Sequence, residues 1–242
     1  VLLCGALLLG APLPLLAQRL PDAAALAARH DSLVGGRAAL EAISSIRFLG
    51  TFSIPAAGID APLEILKRKP NQYLFRTSLG EIGEVLQGFD GEIAWSVQPG
   101  QAPRIVEGEE LSRIREQADF FGDLHDLSRF ASVETVGETD FAGRRAWEVR
   151  MIRPSGDTLF EYFEVESGLS VGGAVLAGSL TGRVRLLTIL SEYKAYGALL
   201  LATRVTQRAP DFETILLIQF VELDAVRPED VAPPPAIRAL KP

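Results

Sequence analysis

From Ile46 onward the chain is punctuated in a way that suits short strands and little else. In the first half these are IRFLGTFSI, APLEILKRK, QYLFRTSL, EVLQGF and EIAWSV. In the second half they are RRAWEVRMI, DTLFEYFEV, RVRLLTIL, LLLATRVTQ and ETILLIQFV. Each is rich in branched and aromatic residues, and Gly, Pro, Asn or Asp separates one from the next. Parallel neighbours need a crossover of a dozen or more residues, usually a helix, so short gaps predict an antiparallel meander. Pro154-Ser155-Gly156-Asp157 and Glu166-Ser167-Gly168 read as the tight turns such a meander requires.

Two helical stretches interrupt this grammar and make the class α+β. DAAALAARHDSLV favours helix; Gly35-Gly36 breaks it, and Leu40, Ile43 and Ile46 then recur at spacings of three. Midway, Leu111, Ile114, Ala118 and Phe121 recur at three and four, and Leu124, Leu127 and Phe130 at three. This predicts an amphipathic helix or helix pair over 109–130. An antiparallel sheet with one wet face alternates apolar and polar side chains. TILLIQFV does not: Ile215, Leu217 and Val221 hold one parity, and Leu216, Ile218 and Phe220 the other. LFEYFEV likewise sets Leu159, Phe163 and Val165 against Phe160 and Tyr162. Both faces must be covered, or one must line an apolar cavity. Helical segments 22–46 and 109–130 are the available covers.

Composition removes several function classes. The formal net charge is −7, from 31 acidic against 24 basic residues, which argues against a nucleic-acid backbone binder. Cys4 is the only cysteine, and His30 and His125 are the only histidines, too few for zinc-finger, CxxC or multi-histidine metal chemistry. No G-x-S-x-G surrounds a serine, so no nucleophile elbow is present. Asp126 follows His125, but adjacent residues on a helix point apart, so His125 reads as a surface or helix-boundary residue and no catalytic residue is assigned. His30 reads as a favourable side chain at a helix C-terminus. Glu109, Glu110 and Glu116 read as the solvated face of the middle helix. Gly35-Gly36 lacks a phosphate-loop pattern, and no Lys-Ser/Thr follows Gly172-Gly173, so no cofactor is expected. The stretch GLSVGGAVLAGSLTG around Gly172 reads as a mobile hairpin connection, whose apolar tip is where transient membrane contact is conceivable. Lys69, closing the basic run Lys67-Arg68-Lys69, is placed to hold an anionic headgroup at a cavity mouth, with a solvated sheet edge as the alternative.

Residues 1–17, VLLCGALLLGAPLPLLA, carry no charge and contain two prolines. The run is too short and too broken for a comfortable membrane span and reads as the remnant of a secretory signal, which implies a periplasmic, exported protein. Leu3 is bulky where a lipoprotein signal wants a small residue, so Cys4 is not expected to carry a lipid anchor. Residues 18–225 are expected to form one domain. Residues 226–242 are expected to form a Pro-rich strap, with Val226, Val231 and Ile237 as its anchors.

The order of these parts resembles a known family. Ile46–Gly50, a second strand ending in KRKPN at 67–71, GFDGEIAW at 88–95, the helical insert and the Pro-containing tail together are similar to the periplasmic lipoprotein carrier LolA and its lipid-handling superfamily. Asp90, Gly91 and Trp95 match the carrier's Asp-Gly turn leading to a Trp. The basic residue before the proline, an arginine linked in the carrier to lipoprotein uptake and release, is Lys69 here, which keeps charge and loses the planar fork. The resemblance implies an unclosed antiparallel β half-barrel wrapping helices, with an apolar cavity for acyl chains between them. Its expected lining is Phe48, Phe52, Leu63, Ile65, Phe75, Trp95, Leu111, Ile114 and Phe121. Lipid or lipoprotein acyl chains are then the expected partners of a non-catalytic binder. The alternative is an envelope sensor or scaffold that binds a protein through the same sheet.

Overall fold

The computed structural model describes residues 19–179 and 182–240, without the side chains of 176–179 and 182–184. The segment read as a signal remnant, with Cys4, lies outside the described residues, as does the tip at 180–181.

Two helices open the described residues, α1 (Ala23–Leu33) and α2 (Gly36–Glu41). Gly35 separates them at φ +105°, where a Cβ would come within 2.4 Å of the Ala198 carbonyl oxygen. Six strands follow: β1 (Ser45–Ile54), β2 (Ile59–Arg68), β3 (Gln72–Ser78), β4 (Glu84–Phe89), β5 (Ala94–Val97) and β6 (Arg104–Val106). After α3 (Gly108–Ala118) come β7 (Ser132–Phe141), β8 (Arg144–Ile152), β9 (Thr158–Glu164) and β10 (Ser170–Ser179). The last strands are β11 (Gly182–Tyr196), β12 (Leu199–Ala209) and β13 (Phe212–Leu223), and α4 (Pro235–Arg238) lies in the tail.

All thirteen strands belong to one sheet, in the order β6-β5-β4-β3-β2-β1-β13-β12-β11-β10-β9-β8-β7. Every neighbouring pair is antiparallel. The sheet is therefore two meanders joined where β1 pairs with β13, and its edges, β6 and β7, do not pair with each other. This is the expected unclosed half-barrel. Its inner face carries the helices: α1 packs on Val149, Met151 and Phe163, α2 on Ile46 and Leu199, and α3 on Tyr73, Phe89 and Val106.

The mixed parity of β13 has a local cause. Leu49 pairs with Phe220 but Gly50 pairs with Ile218, so Gln219 is an extra, bulged residue. The bulge reverses the alternation. Leu216 and Ile218 point inward before it and Val221 and Leu223 after it, while Phe220 turns out to 66% exposure. Gly50 is required opposite, because a Cβ there would lie 1.9 Å from the Leu217 carbonyl oxygen. On β9 both faces carry apolar side chains: Phe163 packs on α1, while Tyr162 stacks on Phe141 at 3.9 Å on the outer side.

All ten expected strand segments fall on strands of the sheet, four of them overhanging a strand end by one or two residues, and three strands were not expected. β6 is three residues long, too short for a pattern. β7 alternates in burial, but its exposed positions other than Val136 are polar and it has few branched apolar residues. β10 falls in the Gly-rich stretch read as a connection; its backbone instead pairs with β9 and β11 on both sides. The middle helix is also shorter than expected. It stops at Ala118 because the Asp119 carboxylate accepts the Phe121 N–H at 3.0 Å, forming a turn that competes with helix. Residues 119–131 then run as an irregular segment with one short helical turn at Leu127–Arg129.

The tail lies on the outer face. Val226, Val231 and Ile237 are buried against Leu66, Leu74 and Trp95. Trp95 lies flat across β4, where a Cβ on Gly88 would meet its ring at 2.3 Å. Gly88→Ala is therefore expected to lower stability by about 1–3 kcal/mol through overpacking, measurable by urea unfolding, with the tail's protection from proteolysis reduced in parallel.

Candidate functional site

The inner face of the sheet does not close on its helices. Between them lies a cavity of about 620 Å³, partly open to solvent. Its walls come from many elements. The sheet contributes Ile46 and Phe48 of β1, Ile65 and Lys67 of β2, Leu199, Leu201 and Val205 of β12, and Leu216 and Ile218 of β13. Helices α1 and α2 contribute His30 and Leu40, and the irregular segment contributes Gly122 through Asp126, Arg129 and Phe130. About half of the lining residues are aliphatic, with β12 and β13 presenting long branched side chains inward, and charged side chains make up much of the rest.

One wall is different. His125, on the irregular segment, directs Nδ1 to Asp31 Oδ1 at 2.6 Å and Nε2 to Glu161 Oε2 at 2.8 Å. Asp31 also accepts the His125 backbone N–H at 3.1 Å. The imidazole thus bridges α1 and β9, with its side chain only 11% exposed. Burial works against its charge, but hydrogen bonds and charge from Glu161 and Asp31 outweigh it and push its pKa up to about 9. His125 is cationic at neutral pH. Burial would raise the Glu161 carboxyl, yet its bond to cationic His125 holds it below the usual carboxylate range. His30 stands edge-on to His125, with ring centres 5.4 Å apart. Its Nδ1 accepts the Ser170 N–H at 2.9 Å, so a proton on the ring belongs on Nε2, and burial holds its pKa below the usual value. Ser170's carbonyl in turn accepts the Tyr193 hydroxyl at 2.8 Å. A second pair, Lys67 Nζ to Asp123 Oδ2 at 3.3 Å, ties the same segment to β2.

These positions correct the sequence reading of both histidines. His125 is not a surface residue, because unwinding after Ala118 turns it toward the cavity, and its acid partner is Asp31 rather than the adjacent Asp126. His30 does sit in the last turn of α1, but as a buried neutral acceptor rather than a helix-terminal cation. Glu116 is paired with Arg153 at the cavity rim rather than simply solvated.

Of the expected lining residues, Phe48 and Ile65 face the cavity. Phe52, Leu63 and Phe75 share their inner face further along the sheet, where Phe52 meets Phe75 edge to face at 6.0 Å. Leu111 and Ile114 are spent on packing α3 against Tyr73 and Phe89, and Phe121 packs beside α2. Trp95 is on the opposite face of the sheet, under the tail, because alternation along β5 places it outward. Lys69 is not at the cavity either. Its ammonium donates to the Glu41 carbonyl at 2.9 Å and lies over the Phe120 and Phe121 rings, and the cavity's cation on that strand is Lys67. The contributions of β11, β12 and β13 were missed, although the doubly apolar run TILLIQFV was their signal. The pairing of His30 and His125 had a faint one: each is followed by Asp.

Chemically, the histidine has no free ring nitrogen. Both are taken by carboxylates, and among the described residues no hydroxyl is hydrogen-bonded to it. No cluster of three metal-ligating side chains occurs among the described residues, and no described helix is long and apolar enough to cross a membrane.

The two histidines make opposite demands on pH. For His125, the folded pKa of about 9 lies above the usual 6.5, so its contribution is complete below pH 6.5 and is lost between 6.5 and 9. For His30, the folded value lies below 6.5, so its contribution is complete above 6.5 and is lost as pH falls through that lowered value. Unfolding free energy is expected to peak near pH 6.5 and to fall by an order of 1–3 kcal/mol on the alkaline side. Denaturant titrations across pH measure this, and His125→Gln should flatten the alkaline limb.

No protein-family model matches the chain, and no curated protein matches it. Solved structures do. A LolA superfamily protein from Nitrosomonas europaea aligns over 88% of this chain and 99% of its own, with TM-score 0.56 and 9% identity. A DUF1329 family protein from Desulfovibrio piger aligns over 83% and 91%, with TM-score 0.54 and 12% identity. A Vibrio parahaemolyticus domain assigned to outer membrane lipoprotein sorting aligns over 85% and 97%, with TM-score 0.53 and 11% identity. At these identities the likeness is one of fold. With an open antiparallel sheet, helices on its concave face and a cavity between them, the chain has the LolA-like fold.

Proposed function

We propose that this protein is a non-catalytic binder or carrier of a lipid or of the acyl chains of a lipoprotein, held in the cavity between sheet and helices. The observation that carries the reading is the cavity itself. Its volume of about 620 Å³ falls inside the range of roughly 300–1,000 Å³ typical of small-molecule sites. Taking a methylene at about the 30 Å³ a water occupies in the liquid, it holds about 20 chain carbons. Burying each methylene contributes about 0.8 kcal/mol, while association costs an estimated 4–15 kcal/mol, so only a long apolar chain gives firm binding without specific polar contacts. The saturated His125 supports a binding role over a hydrolytic one, since a triad needs its second ring nitrogen on a hydroxyl. Residues 1–17 support export to the periplasm, and the sorting role assigned to the Vibrio domain of like fold supports a lipoprotein as one form of cargo.

Native mass spectrometry of protein purified from its own envelope without detergent, followed by solvent extraction, tests this directly. The expected result is an added mass that extracts as lipid. Bare protein that also fails to take up added lipid overturns the reading. Val205→Trp, which fills the cavity from β12, is expected to reduce retention roughly tenfold or more while leaving the sheet folded.

A further inference from the structure

Past Glu161, the inner face of β9, β10 and β11 continues into a second hollow of about 220 Å³. Five residues border both spaces: Met151, Leu159 and Leu190, which are apolar, and Glu161 and Ser170, which are not. The hollow has a simple origin in the register. Glu161 of β9 faces Gly173 of β10, which faces Thr188 of β11, so the inner face carries no large side chain for two strands in succession. A Cβ on Gly173 would stand 2.9 Å from the Phe160 carbonyl oxygen, which keeps that position small.

An apolar chain in the main cavity therefore has somewhere further to go, and the polar side chains it meets on the way are Glu161 and Ser170. Glu161 is not free to move aside, because its carboxylate is bonded to the Nε2 of His125 at 2.8 Å. Displacing it would leave a buried imidazolium with half its partners, and sliding methylenes against it would strip the pair of the solvation it keeps. We propose that the Glu161–His125 ion pair is a length-selective barrier that confines the bound apolar chain to the main cavity and shuts it out of the hollow beneath β9–β11. Glu161 is then the residue that sets the longest chain the protein rewards with affinity. This rests on the reading that the cavity holds an apolar chain.

The test is the affinity for saturated fatty acids from lauric to cerotic acid, delivered from cyclodextrin and read by displacement of a fluorescent fatty acid. In the wild type, affinity should rise by about fourfold per methylene and then stop rising once the main cavity is full. In Glu161→Leu the rise should continue for about 7 further carbons, the capacity of the hollow at about 30 Å³ each. Thr188→Phe fills the hollow without touching the ion pair. Alone it should leave the wild-type limit unchanged, and in the Glu161→Leu background it should restore that limit. A Glu161→Leu protein with the wild-type limit overturns the proposal. So does a Thr188→Phe protein whose limit is shorter than wild type, since chains would then already be entering the hollow, and this arm stands even where Glu161→Leu fails to fold. A wild type that binds the series with no length limit overturns the proposal alone, whereas one that binds no member overturns the lipid reading beneath it.

Discussion

The pairing of β1 with β13 joins two meanders that would otherwise be separate sheets. Antiparallel neighbours within each meander form from contacts close in sequence, whereas this seam brings Ile46 against Leu223 across most of the chain. It is a seam between apolar strands, and its bulge at Gln219 keeps Leu216 and Ile218 before it and Val221 and Leu223 after it on the inner face, while Ile215 and Leu217 face outward. Without that bulge, Val221 and Leu223 would point out and Phe220 in, and α2 would lose the floor it packs on. The curvature of a continuous sheet then creates a concave face far larger than three short helices can cover. The cavity is the uncovered remainder.

Leaving β6 and β7 unpaired has a second consequence. The chain must travel between the two edges, and residues 119–131 do so across the mouth of the concave face. A segment without regular hydrogen bonding needs other anchors. Phe120 supplies an apolar one, buried beside α2. The others are ionic: Lys67 with Asp123, and His125 with Asp31 and Glu161. The His125 pairs are buried, and such pairs are costly to bury and gain little over apolar contacts, but losing one partner is severe. They fix where the segment lies more than how stable it is. A wall about half aliphatic, with one rigid charged corner, is the result, and the charged corner is what gives an otherwise nonspecific cavity a boundary.

The outer face is handled differently at its two ends. Near β2–β5, Leu66, Leu74 and Trp95 are covered by the tail, whose prolines suit an extended path and whose Val231 and Ile237 are fully buried. Near β7–β10 the sheet covers itself, with Phe141 and Tyr162 stacked beside Ala146 and Ala174. The doubly apolar strands thus serve two purposes, a cavity inside and a small outer core outside.

Read alone, the sequence determined ten of the thirteen strands, the antiparallel class, the break at Gly35-Gly36 and the anchors of the tail, because each follows from local propensity, short gaps or periodicity over a few residues. That Phe48 and Ile65 face the cavity was implied by the family resemblance and not by local pattern. Only the tertiary structure decided which inward residues stay unpacked. Phe52, Leu63 and Phe75 share that parity with Phe48, yet the helices and neighbouring rings reach some and not others. Trp95 lies on the far side by the alternation of β5, a strand of four residues too short for its face to be read from sequence. The length of α3 turned on one Asx turn at Asp119 competing with a helical pattern that continued beyond it. The charged corner was the least legible part. Asp31, His125 and Glu161 are separated by 94 and 36 positions, and nothing in local pattern reports a contact made through space.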